Sequence, residues 1–215
     1  MLRVDLAFDV GANTGQWYQR FREAGFTCPV VSFEPDPRAL TKLRDLADEL
    51  HDPNWTIEPY ALGRESTSEA EFFLWPMTSG SSSLKSVSDF GGEFTGYTAD
   101  SLPRTTVPVR RFDDAYHIED LSPHRPLLKI DVQGYESEVL GGMRPDIIQA
   151  FVAIEIEIPL VDVYADSGSF IEIYSSIADL GFVPYTIQSE RWHGEGYGAA
   201  DCDVLMVNTR ETRAR

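Results

Sequence analysis

Residues 8–15, FDVGANTG, end one apolar run and lead straight into an amphipathic segment. Glycines at 11 and 15 permit positive φ and leave no Cβ to hold a ligand off the backbone, while the segment that follows offers the free N–H groups of a helix start. A loop of this kind binds a nucleotide or a related cofactor, and Asp9 and Asn13 can hydrogen-bond an amino or carboxylate group. A second apolar run closes on Glu34, nineteen residues after Gly15, and the two oxygens of that side chain match the vicinal diol of a ribose. Taken alone, Glu34 serves equally as a cap for the helix that starts near Pro37. The glycines are spaced Gly-x-x-x-Gly with polar Asn13 and Thr14 between them, not Gly-x-Gly-x-x-Gly, which sets a pyrophosphate on a helix dipole. The expected ligand is therefore an adenosine compound without a phosphate.

Further along, LLKIDVQGYE (residues 127–136) puts Lys129 and Asp131 on one face by alternation, with Asp131 at the carboxyl end of the run, where open α/β sheets bind ligands. A lysine in a central strand requires a carboxylate partner. Lys129 thus reads either as half of an ion pair or as a substrate contact, and Glu136, one helical turn on, as a cap, a partner for Lys129 or a functional group. Glu155 and Glu157 share a face of the next run. Glu155 is expected to reach the cleft, because Glu157 sits nearer Pro159; pairing with Lys129 is its structural alternative. Of four histidines, His51, His117 and His124 read as surface or cap residues, whereas His193, beside Trp192 and Tyr197, is a candidate substrate contact.

These groups need a scaffold, and the chain supplies an alternating one. Apolar runs at residues 4–10, 29–34, 55–60, 127–132 and 151–158 are separated by segments with helical spacing, among them 16–24, 38–50 and 135–140. Strand, helix, strand repeated in this way predicts a parallel sheet covered on both faces. At the end, helix-like 170–180 stops at Gly181 and strand-like 182–187 and 202–207 flank a polar and aromatic excursion, which predicts a long hairpin and an antiparallel last strand. Between Gly63 and Asp113, strand-like 70–75 and 105–112 flank a Ser/Gly-rich stretch, 76–104. Its Leu84, Phe90, Phe94 and Tyr97 suit a lid better than a bare linker. The reading is one domain over residues 1–215, with 64–112 inserted into it.

Composition narrows the function. With 42% apolar residues in a 215-residue chain, a core is affordable and wholesale disorder is excluded. The formal charge of −17 is spread along the chain and basic residues gather only at Arg110 and Arg111, so neither nucleic acid nor an anionic membrane is an expected partner. Two cysteines, Cys28 and Cys202, are too few for a disulfide-stapled secreted module. No apolar run approaches the roughly 18 residues that span a bilayer, and the N-terminus has no signal-peptide pattern. A soluble, cytoplasmic protein is expected.

Together these residues resemble the FkbM family of S-adenosylmethionine-dependent methyltransferases. The matching pieces are FDVGANTGQW, VVSFEPDP, ALG at 61–63, SSSL at 81–84, LLKIDVQGYESEVLGG and AIEIE, in the family's order across nearly the whole chain. The resemblance implies a class I methyltransferase, a Rossmann-like α/β three-layer sandwich. Its seven-stranded, mostly parallel sheet has an antiparallel last strand, and an inserted β-hairpin and lid accompany it. It implies S-adenosylmethionine as cofactor, with the methionine end at Asp9, Gly11, Asn13, Thr14 and Gly15, the ribose at Glu34, the adenine near Pro35, Ala61 and Leu62, and Asp131 beside the methyl group. Ser82 and Ser83, with Lys129 and Glu136, are the acceptor contacts that follow from it, and Gln133 stands where many members have Glu.

The implied reaction is methylation of a hydroxyl on a sugar or secondary metabolite, a small-molecule acceptor. The enzyme must align the acceptor oxygen in line with the transferable methyl and take up its proton, for which Asp131, Glu155 and His193 are the candidates. No compact motif marks a metal on Asp131, and none is expected. Because only three residues precede the first strand, enclosure of the acceptor falls to residues 76–104, the terminal hairpin or a second subunit of a homo-oligomer. Two other readings share parts of the pattern. An NAD(P)-dependent oxidoreductase should show the pyrophosphate fingerprint, and a non-catalytic cofactor-binding module should have lost Asp131 or Glu34.

Overall fold

The computed structural model describes residues 3–189 and 199–212. The chain opens with β1 (Leu6–Val10), α1 (Gln16–Glu23), β2 (Val30–Phe33), α2 (Pro37–Leu50) and β3 (Trp55–Glu58). A middle section holds β4 (Ala61–Leu62), β5 (Thr67–Phe73), α3 (Asp89–Thr95), β6 (Arg104–Arg110), α4 (Phe112–Ala115) and α5 (Ile118–Leu121). The alternation then resumes with β7 (Pro126–Ile130), α6 (Glu136–Gly141), α7 (Pro145–Ile148), β8 (Ala153–Pro159) and α8 (Phe170–Ala178). β9 (Phe182–Gln188), β10 (Asp201–Asn208) and α9 (Thr209–Thr212) complete it.

Seven strands form one sheet in the order β3-β2-β1-β7-β8-β10-β9, with the first five parallel and β10 antiparallel to both neighbours. This is the mixed sheet the sequence pattern predicts. β7 lies between β1 and β8 and is buried at all five positions, as expected of an apolar central parallel strand. Alternation divides the core. Phe8, Val10, Leu128, Ile130, Ile154 and Ile156 face one layer, while Ala7, Leu127 and Ala153 join Trp17, Tyr18, Leu43 and Trp55 in the other. Helix α2 begins where Pro37 fixes φ and the Asp36 carboxylate accepts from Arg38 N at 2.8 Å. The third predicted strand, 55–60, ends at Glu58; Tyr60 turns into the core and packs edge-on to Phe33.

The chain leaves β1 toward β2 and β3, then returns to the other side of β1 as β7. The order of strands therefore reverses between β1 and β7, where doubly wound sheets open a crevice above the strand ends. The inserted segment pairs β5 with β6 and β6 with β4 in a second, three-stranded sheet. The stretch 76–104 carries structure of its own: short helical turns at Ser79–Ser81 and Ala99–Ser101, and α3. A separate apolar cluster of Phe73, Trp75, Val87, Leu102 and Tyr164 anchors it, with Tyr97 edge-on to Trp75. No helix among the described residues is long and apolar enough to cross a membrane.

Candidate active site

The glycine loop is shaped by contact with the neighbouring strand. Gly11 has φ 80°, and a Cβ there would lie 1.8 Å from the Asp131 carbonyl oxygen, so any side chain would push β1 and β7 apart. Asn13, also left-handed at φ 49°, turns its backbone N–H onto Glu34 Oε2 at 2.6 Å, and Asp36 N donates to Glu34 Oε1 at 2.7 Å. Both oxygens of Glu34 are thus aimed by backbone donors, and each keeps a lone pair for a further donor. Burial pushes the Glu34 carboxyl up to about 7, against the two backbone N–H groups that favour its charge.

Beneath the loop runs a buried polar chain across four strands. Trp55 Nε1 donates to Ser32 Oγ at 2.9 Å, Ser32 Oγ donates to Asp9 Oδ2 at 3.2 Å, and Asp9 Oδ1 forms an ion pair with Lys129 Nζ at 3.1 Å. Lys129 also donates to the Gly11 carbonyl at 2.8 Å and lies 3.7 Å from Asp131 Oδ2. Burial alone would push the lysine down; Asp9 and Asp131 outweigh it and hold the ammonium charged above its ordinary value. Asp9, fully buried, does not line the cleft. Its work is to anchor Lys129, which fastens the loop from below.

Above the chain lies a cleft of about 240 Å³, lined by Gly11, Asn13, Glu34, Pro35, Ala61, Leu62, Ser82, Lys129 and Asp131. Asp131 is its partly exposed carboxylate: Oδ1 accepts from Gln133 Nε2 at 2.8 Å, and among the described residues Oδ2 has the longer approach of Lys129. The insertion closes one side. Ser79 Oγ donates to Asn13 Oδ1 at 2.6 Å, and Arg38 reaches across to Ser82 Oγ at 2.9 Å and to the Trp75 carbonyl at 3.0 Å.

The other residues singled out in the sequence lie apart. Thr14 and Gly15 do not line the cleft; Gly15 caps α1 and packs on Leu43 and Leu46. Ser83 is buried with its hydroxyl donating to the Gln133 carbonyl at 2.7 Å, so the acceptor contact expected of it is unavailable, whereas its neighbour Ser82 lines the cleft. Glu136 is buried behind the β7 exit and accepts from Val132 N and Gly134 N. Burial pushes it up to about 7.

Glu155 accepts from Trp17 Nε1 at 3.2 Å and faces an adjoining hollow, shared with Glu157, Asp201 and Asp203 among the described residues. Burial raises its carboxyl, with the Trp17 indole opposing. Asp131, Lys129, Trp17 and Arg20 line both cavities, so the two adjoin at Asp131. His193 lies outside the described residues. Among those residues, no three His, Cys, Asp or Glu side chains are grouped to hold a metal ion. Sequence reasoning missed Gln16, Trp17 and Arg20, which line the cleft from the first turns of α1. The available signal was their one-face spacing directly after the glycine loop.

The arrangement brings two carboxylates to one cleft, Glu34 braced by backbone N–H groups and Asp131 partly exposed. Among curated proteins, none matches the sequence. Among solved structures, the methyltransferase FkbM from Methylobacillus flagellatus KT superposes with a TM-score of 0.56 at 16% identity, over 95% of this chain and 45% of that one. This chain thus spans less than half the length of the Methylobacillus protein. Magnesium protoporphyrin IX methyltransferase from Synechocystis PCC 6803, with S-adenosylmethionine bound, gives 0.51 at 10% identity over 96% and 71%. Likenesses this distant establish the fold. The family follows from the sequence itself, because residues 9–184 match the methyltransferase FkbM domain. The chain belongs to the FkbM family of S-adenosylmethionine-dependent methyltransferases.

Proposed function

We propose that the chain methylates a hydroxyl group of a small acceptor, a sugar or a secondary metabolite. The observation that carries this reading is the meeting of Glu34 and Asp131 on one cleft, the first with its oxygens aimed by backbone donors and the second partly exposed, with Oδ2 approached by Lys129 at 3.7 Å. The residues fit the family's cofactor: Gly11 lets β1 and β7 approach closely enough for the loop to sit at the cleft floor, and Glu34 keeps two lone pairs for a ribose diol. Pro35, Ala61 and Leu62 would face the adenine, and Gly11 and Asn13 the methionine end. When bound, the cofactor supplies an electrophilic methyl on a sulfonium.

The protein's own contribution is alignment and a proton acceptor. Gln133 holds Asp131 Oδ1, so Oδ2 is left to orient the acceptor hydroxyl and receive its proton as the new bond develops. The alcohol is a weak acid, so this transfer matters only late, and positioning supplies most of the rate. Residues 76–104 serve as the lid of a single domain spanning 1–215, with Leu84 already on the cleft wall. A second subunit of a homo-oligomer is the other source of cover for the acceptor. A cytoplasmic setting fits the two unpaired cysteines, Cys28 and Cys202.

Calorimetry with S-adenosylhomocysteine and with NADH tests the cofactor. Incubation of hydroxylated sugars and metabolites with methyl-deuterated S-adenosylmethionine, read by mass, tests the reaction. Tight NADH binding with no response to S-adenosylhomocysteine would overturn the cofactor reading. Label found on nitrogen or carbon alone would overturn the acceptor reading.

A further inference from the structure

Gln133 sits at a left-handed φ of 57°, in a turn where a side chain is ordinarily unwelcome. The turn is held from two sides: Glu136 Oε1 accepts from Val132 N and Gly134 N, and Ser83 Oγ donates to the Gln133 carbonyl. What this backbone secures is the place of one buried amide. Gln133 Nε2 donates to Asp131 Oδ1 at 2.8 Å and to Glu157 Oε2 at 2.6 Å, which uses both of its hydrogens, while Oε1 faces the Tyr164 hydroxyl at 3.1 Å. Turning the amide over would set its oxygen against two carboxylates, so the network itself fixes the orientation.

We propose that Gln133 is a positioning residue for proton acceptance, an amide clamp that fixes the rotamer of Asp131 with Oδ2 toward the acceptor and lets Asp131 and Glu157 stay ionised together. The proposal rests on the reading of Asp131 as the proton acceptor. Two carboxylates that converge on one atom cannot both keep their charge unless donors stand between them. The surroundings of Asp131 make the need acute. Lys129 on β7 faces it but is shared with Asp9 on β1; Glu155 and Glu157 come from β8, Asp201 and Asp203 from β10, Glu136 from α6, Arg20 from α1, and the Tyr164 hydroxyl from the loop before α8. Among the described residues, the acids in that list outnumber the cations. Gln133 is the neutral donor that both carboxylates touch.

Gln133→Glu keeps the shape and replaces the donor by a third acid. In the full chain, the ascending limb of kcat against pH should move up by about one to two units, with S-adenosylhomocysteine affinity within two-fold of the parent. Gln133→Glu combined with Glu157→Gln restores the charge and should return the limb to within half a unit. A Gln133→Glu profile that superimposes on the parent, or a limb the double variant fails to restore, overturns the proposal.

The clamp is also testable without turnover, which keeps its failure distinct from failure of the proposed reaction. The ¹³C signal of the Asp131 carboxyl, assigned by its loss in Asp131→Asn, should titrate at least one unit higher in Gln133→Glu. If that variant does not fold, Glu157→Gln removes one acid and should move the same midpoint down. An unmoved midpoint overturns the proposal.

Discussion

The two halves of the cleft are held by different kinds of bond. Around Glu34 the donors are backbone N–H groups, from Asn13 and Asp36, within about one βα unit of sequence. Around Asp131 the bonds run between side chains far apart in the chain: Gln133 to Glu157, Trp17 to Glu155, and Tyr164 to Gln133. Backbone donors survive substitution and side-chain donors do not. On the proposed assignment, the half that holds the nucleoside is insulated from sequence change, while the half that meets the acceptor can be rewritten one residue at a time.

The sharpest way to break this division is Asp131→Asn, which keeps shape but removes the basic charge. Positioned bases contribute about 10² to 10⁴ in rate, so kcat should fall by that order while S-adenosylhomocysteine affinity stays within a few-fold. Collapse of both would mean the halves are one unit. Surviving turnover, together with collapse in Glu155→Gln or His193→Ala, would move proton acceptance to those residues.

Lys129→Met strikes the support common to both halves. It strands Asp9 without its cation and should cost about 3–5 kcal/mol in urea unfolding, most of it recovered when Asp9→Asn is added. No recovery would show that Lys129 matters for the loop carbonyls alone.

Glu34→Gln should weaken S-adenosylhomocysteine binding by about 1.5–3 kcal/mol, the value of charged hydrogen bonds. The same residue sets a pH dependence. Its carboxyl, pushed up by burial to about 7, takes a proton as pH falls through that value, so affinity should drop several-fold between pH 8 and 6 and rise again on return. A Glu34→Gln variant that keeps that slope assigns the titration to another group. The smallest expected effect is in the insertion: amide exchange over residues 85–103 should slow only when cofactor product and acceptor are both present. Slowing with cofactor product alone would make the insertion part of the nucleoside half.

The sheet was legible because its strands alternate or run apolar within ten residues, and the glycine loop and Glu34 because their geometry is local. Alternation also put Asp131 at a strand end. It could not say that Asp9 and Lys129, adjacent in register on β1 and β7, would face each other beneath the loop. A period of two names a face and not a partner. Ser82 and Ser83 show the same limit: neighbours in sequence, they diverge to Arg38 and Gln133. Trp17 and Arg20 were hidden because an amphipathic helix reads as core on one side and solvent on the other, and here part of that boundary is the cleft wall. The order within 76–104 was illegible because Trp75, Leu102 and Tyr164 form its anchor only in three dimensions.

The position of β1 between β2 and β7 has a kinetic consequence. β2 follows β1 within a few seconds of synthesis, whereas β7 trails it by some 120 residues, about 6–24 s at ordinary elongation rates. Throughout that interval the nascent chain carries Asp9 without the cation that makes its burial tolerable. The first three strands can associate early, with Ser32 Oγ on β2 available to Asp9 before Lys129 emerges from the ribosome. Full burial of Asp9 is therefore expected to wait for Lys129, and a ribosome stalled before residue 129 should display β1 accessible to protease.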